Sequence, residues 1–151
     1  MIEESFVSFE IAEMLKEKGF DEPCHCYYNT NSLSIYPVYG AKEDYTNSDF
    51  EEDVYVCYSA PTQQMACRWL REVHNIHVCP EYKPFFQERP KKLYHHWCNK
   101  IIGIGRSFNR GINEVDVLDS DYFYFRSCKT YHDSFEDACM ECIEFALRNL
   151  I

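Results

Sequence analysis

The chain has 151 residues, 46 % of them hydrophobic and 17 % aromatic, and a formal net charge of −10. That apolar content excludes a mainly disordered chain, and no apolar run approaches the ~20 residues of a bilayer-spanning helix. The acidity opposes non-specific binding to nucleic acid, whose phosphates require a basic face.

The charge is unevenly spread: residues 1–60 carry −10, residues 61–112 carry +6 and residues 113–151 carry −6. Pairing of the basic middle with the acidic ends is the expected arrangement, although a local basic patch would also fit. Nine cysteines stand in the chain, an odd number. Met1-Ile2-Glu3-Glu4-Ser5 carries acids where a secretory signal carries bases, so a cytoplasmic protein with reduced thiols is expected.

In chain order, the first helix is expected from Ser8 through Ile11, Ala12 and Leu15 to Lys18, with Gly19 as its left-handed stop. Cys24 to Tyr28 and Leu33 to Tyr39 read as a hairpin joined by the turn-prone Asn29-Thr30-Asn31-Ser32. Gly40 to Asp53, acidic and poor in aliphatic residues, reads as a surface loop, and Val54 to Tyr58 as a short strand.

A complete helix-to-strand unit follows. Thr62 beside Pro61 can cap the helix, and Met65, Ala66, Trp69, Leu70 and Val73 form its apolar stripe. Asn75 suits the left-handed exit, and Ile76-His77-Val78 opens a strand extending to Tyr82. Pro80, Pro84 and Pro90 bracket Lys83 to Lys92, which predicts an irregular excursion. Leu93 to Ile104 and Tyr122 to Ser127 are the remaining strands, with a polar turn or loop over Gly103 to Ser120. The last helix opens on the capping box Asp133-Ser134-Phe135-Glu136. Its stripe runs through Phe135, Ala138, Cys139, Cys142, Ile143, Ala146, Leu147 and Leu150.

The order helix, strands, helix, strands, helix predicts a single α+β domain over residues 1–151. Two layers are expected, with about three helices packed on one face of a mostly antiparallel or mixed sheet.

Chemistry is less legible. Cys24-His25-Cys26, His74-x-x-His77-x-Cys79, His95-His96-x-Cys98 and Cys139-x-x-Cys142 all carry zinc-type donors. Strand alternation splits the first and third sets, and helix packing already explains Cys139 and Cys142. His77 and Cys79 come nearest to a metal pair, yet no metal and no cofactor is expected. A cysteine–histidine nucleophile would fall on His96 and Cys98. Gly103-Ile104-Gly105-Arg106 lacks the helix that follows a dinucleotide loop; Arg106 and Arg110 are candidates for gripping an anion.

The final candidate is aromatic. Tyr27, Tyr28, Tyr36, Tyr39, Tyr55, Tyr58, Tyr122, Phe123, Tyr124 and Phe125 lie in expected strands, so half of them should face away from the helices. Such a face can bind a protein partner or stack bases.

Ser8 to Pro23, Ala60 to Val78 and Tyr131 to Ile151 together resemble a family of small proteins from Bacteroides-type gut bacteria and their phages or mobile elements. These segments cover about 40 % of the chain. The resemblance implies a bacterial, phage-linked cytoplasmic origin and carries no catalytic residue, because the family has no assigned chemistry. The expected function is therefore a non-enzymatic binding or accessory protein, engaging a protein partner or a second copy through a tyrosine-rich or acidic surface. A small enzyme or ligand-binding domain built on His95, His96, Cys98 and Arg106 is the rival, and a single-stranded nucleic-acid binder a weaker third.

Overall fold

Helix ends follow local chemistry. In the computed structural model, α1 spans Phe9–Glu17, and the Ile11 amide donates to the capping Ser8 Oγ at 3.3 Å. Gly19 leaves it at φ +87, a left-handed conformation that side chains disfavour. In α2, Gln63–His74, the Met65 amide donates to Thr62 Oγ1 at 3.3 Å, and Asn75 makes the left-handed exit at φ +57. The structure describes residues 4–38, 44–50, 56–88, 91–104, 115–119, 122–125 and 131–151.

Among the described residues, three helices and antiparallel strands form an α+β fold. Their strands fall into three small sheets where a single sheet was expected. The chain divides into two compact units, residues 1–69 with Ile151, and residues 70–150, the boundary falling within α2.

In the first unit, β1 (Cys26–Asn29) is central between β2 (Ser34–Pro37) and β3 (Cys57–Ser59), antiparallel to both. The cross-strand register puts Tyr28 level with Ile35 and Tyr58 on one face, and Tyr27 level with Tyr36 and Ser59 on the other. Phe9 of α1 meets both Tyr28 and Tyr58 edge-on, at 5.7 and 5.5 Å between ring centroids. Tyr28 Oη donates to the Val7 carbonyl at 2.6 Å in a buried bond. On the other face Phe50, at the end of the 3-10 turn Ser48–Phe50, packs against Tyr27.

One buried side chain holds that turn in place. Asn47 donates to the Phe20 carbonyl at 2.7 Å and accepts from the Ser59 amide at 2.9 Å. Asp21 adds a second tie, accepting from the Ser48 amide at 2.7 Å and from Ser48 Oγ at 2.6 Å. Trp69, 5 % exposed, meets Phe20 at 5.5 Å in the core. Val73, counted on the apolar stripe of α2, is 56 % exposed, so the buried stripe ends at Leu70.

Among its described residues, the second unit holds two sheets. β4 (Ile76–Val78), β7 (Ile101–Ile104), β9 (Tyr122–Phe125) and β8 (Val115–Asp119) lie in that spatial order, all antiparallel. The other sheet orders β10 (Tyr131–His132), β6 (Lys92–Cys98) and β5 (Glu81–Gln87). Leu93 to Ile104 is thus two strands, broken at Asn99-Lys100, where the chain leaves one sheet for the other. Val115–Asp119 is likewise a strand inside the expected loop.

The expected irregular excursion at Lys83 is a seven-pair hairpin instead, with Pro84 opposite His95. Pro84 is tolerated because β5 is the edge strand of its sheet. The last helix, α3 (Phe135–Asn149), packs against β4, β6 and β10 and buries Ala138, Cys139, Cys142, Ile143, Ala146 and Leu147. Its N-cap is Ser134, one residue later than expected. The Asp137 amide donates to Ser134 Oγ at 3.0 Å, and that hydroxyl donates to Asp137 Oδ2 at 2.7 Å.

Candidate binding surface

The hairpin β5–β6 and the short strand β10 align one cross-strand row: Tyr82, Trp97 and His132. Period-2 alternation places all three on the same face of their sheet. Tyr82 lies 5.3 Å from Trp97, inclined at 59°. α3 starts three residues beyond His132, and its first residue, Phe135, meets Trp97 edge-on at 5.2 Å and 81°. Tyr82 meets Trp97 from β5, and Phe135 meets it from the helix start that follows β10.

This cluster is on the surface. Tyr82 is 44 % and Phe135 40 % exposed, and Trp97 is half-buried between them. His132, in the same row, meets the Glu141 carboxylate of α3 through Nε2, which links β10 to the helix. On the opposite face Tyr131, also well exposed, packs on His96 at 4.9 Å. Around Phe135 the chain is acidic: residues 131–144 contain five carboxylates and neither lysine nor arginine. Of these, Asp133, Glu136 and Asp137 are exposed.

The expected tyrosine face in the first unit is largely roofed. Tyr27 and Tyr36 do point away from α1 and stack at 5.9 Å, but Phe50 covers Tyr27 at 5.6 Å and Tyr45 stacks on Phe50 at 5.7 Å. Tyr36 remains exposed on β2, the sheet edge. The Val38 amide donates to the His25 carbonyl at 2.8 Å, so alternation turns the backbone of Ile35 and Pro37 outward. Pro37 offers no N–H there, which leaves that edge a poor template for a further strand. Tyr39 and Tyr55 lie outside the described residues, and Tyr122 to Phe125 form β9.

The sequence candidates for chemistry are dispersed. His96 and Cys98 share a face of β6, and Cys98 is 1 % exposed; His95 pairs with Pro84 across the ladder. Arg106 and Arg110 lie outside the described residues. His77 is in β4, and Cys79 Sγ sits 3.8 Å from the His77 carbonyl. Burial pushes the Cys79 thiol up. Cys142 Sγ points at the Lys100 carbonyl, 3.9 Å away, and burial pushes its thiol up to about 12, as it does that of Cys24. These thiols stay protonated at neutral pH and pack as small apolar groups. The eight cysteines among the described residues are thiols, not disulfides. Among the described residues, no three His, Cys, Asp or Glu side chains are grouped to hold a metal ion.

Sequence reasoning missed the Tyr82–Trp97–Phe135 cluster, because Pro80, Pro84 and Pro90 masked the hairpin and Phe135 read as the start of a core stripe. The signal was the pairing of Tyr82 with Trp97 across a hairpin once Pro84 is allowed on an edge. No family model, curated protein or solved structure matches the chain.

Proposed function

We propose that the protein is a non-enzymatic binding or accessory protein that engages a protein partner through the surface formed by Tyr82, Trp97 and Phe135. One observation carries this reading: two large aromatic side chains stay exposed against a third, held by strand pairing and a helix start. Aromatic residues concentrate binding energy in protein interfaces, because they offer broad contact area at a small cost in side-chain entropy. No helix among the described residues is long and apolar enough to cross a membrane, and the reading uses no membrane. The resemblance noted above would place this binding in a bacterial, phage-linked cytoplasm.

Native mass spectrometry of the untagged, reduced protein, alone and with captured host proteins, tests the proposal beside the variant Tyr82→Ala/Phe135→Ala. Loss of a complex or homo-oligomer in the variant, with folding intact, is the expected result. Identical assemblies for both proteins would refute it.

The rival reading, a small enzyme or ligand-binding domain around His95, His96, Cys98 and Arg106, draws on the shared strand face of His96 and Cys98. Burial of Cys98 weighs against a nucleophile there, since an attacking thiolate needs access. His96→Ala and Cys98→Ser should leave partner binding unchanged. Abolished turnover or ligand binding in either variant would favour the rival.

A further inference from the structure

We infer that the occupant of the Tyr82–Trp97–Phe135 surface is a basic polypeptide segment that seats an arginine side chain against the aromatic rings, an inference that rests on the binding role proposed above. Two properties of the site select this chemistry. Aromatic faces carry negative quadrupole potential and attract a cation lying over them. A guanidinium suits them better than an ammonium, because it is planar, weakly hydrated and stacks on rings.

The rim supplies the second property. Phe135 is followed directly by Glu136 and Asp137 and preceded by Asp133, all exposed, and the stretch 131–144 has no lysine or arginine to neutralise them. Some of this acidity serves the helix itself: Asp137 completes the cap on Ser134, and carboxylates in a first turn suit the helix dipole. Asp133 precedes the helix and Glu136 follows Phe135 in its first turn, both exposed. Lys83 neighbours Tyr82 in sequence, but alternation sends it to the other face, where it reaches Glu81 at 3.7 Å. His132, in the aromatic row, is already matched by Glu141. The centre is therefore apolar and its Phe135 end anionic, which gives a basic segment local charge to meet.

Such a pairing has a counterpart inside this chain. In the first unit Lys16 Nζ lies 5.3 Å from the ring centroid of Tyr58, whose hydroxyl donates to Glu13 at 3.1 Å. Cation, ring and carboxylate meet there in one local arrangement. The second unit presents rings and carboxylates outward, in position for a cation brought by another molecule.

The test is a titration of the full-length protein with a short alternating arginine–glycine peptide, followed calorimetrically. The same peptide with citrulline in place of arginine is the uncharged isostere. Saturable binding of the arginine peptide is expected, weakened about tenfold or more by citrulline and by Tyr82→Ala/Phe135→Ala, an effect of the size expected for losing two ring contacts. Asp133→Asn/Glu136→Gln, which removes charge without touching the rings, should weaken binding severalfold. Tyr36→Ala, at an exposed tyrosine of the first unit, should bind as the parent does.

Equal binding of the citrulline peptide, lost in Tyr82→Ala/Phe135→Ala, would overturn the cationic assignment while leaving the aromatic surface as a binding site. Unchanged arginine-peptide binding in Tyr82→Ala/Phe135→Ala would overturn both, by showing that diffuse charge alone attracts the peptide. Absence of saturable binding up to millimolar peptide would also overturn the inference.

Discussion

Two three-stranded antiparallel sheets in this protein are rich in aromatic side chains, and they treat them in opposite ways. In β2-β1-β3 the chain roofs its own rings: Phe9 closes over Tyr28 and Tyr58, and Phe50 with Tyr45 closes over Tyr27. In β10-β6-β5 the comparable row ends in the open, with Tyr82 and Phe135 each about two-fifths exposed beside Trp97. Aromatic density alone therefore does not identify a recognition surface. The deciding factor is whether the chain spends a helix or loop on covering it.

The covered region should be costly to disturb. Trp69→Ala, in the core against Phe20, should lose ~3–5 kcal/mol of unfolding free energy, measured by urea titration. Asn47→Ala comes next. It strands the Phe20 carbonyl and the Ser59 amide together, for a loss of about 2–4 kcal/mol on the same assay. At the other sheet's helix start, Ser134→Ala should cost about 1 kcal/mol, with Asp133→Ala clearly milder. Equal losses at the two positions would return the cap to Asp133.

The smallest effect is a pH dependence. Burial pushes the Asp21 carboxyl up, but the hydrogen bonds from Ser48 outweigh it and leave the group below its usual 3.8. A carboxyl depressed on folding contributes stability that is present above its unfolded pKa and lost as pH falls through the folded one. Asp21→Asn should therefore lower stability slightly at pH 7, flatten the acid limb and converge with the parent as pH falls below about 4. An unchanged acid limb would show that the Ser48 contacts do not favour the charged form.

Local punctuation was legible in the residues. Ser8, Gly19, Thr62 and Asn75 each do what their local chemistry dictates, because caps and left-handed exits depend on only a few neighbouring atoms. The α+β class and the antiparallel hairpin of the first unit were legible for the same reason. Three features were not. Pro84 reads as a strand breaker until its place at a sheet edge is known, and edge position is a tertiary property. Val73 continues the apolar period of α2, yet nothing in that period says where the covering surface stops. Asp133 and Ser134 are both good caps, and the choice between them depends on how β10 delivers the chain into α3.

The candidate surface lay beyond reach for a related reason: Tyr82, Trp97 and Phe135 are distant in sequence and meet through strand register and helix entry. His77, Cys79, His96 and Cys98 were visible as residue types, but sequence spacing alone does not say which thiols are buried.

The comparison between the two sheets is tested most directly by one pair of urea unfolding curves, Phe50→Ala beside Tyr82→Ala/Phe135→Ala. Phe50 is a roofing residue, and its truncation should cost ~3–5 kcal/mol. The double variant at the open surface should cost under about 1 kcal/mol and leave the fold intact, as surface substitutions generally do. A double variant that loses as much as Phe50→Ala would make Tyr82 and Phe135 part of the core, and the open aromatic surface would cease to exist.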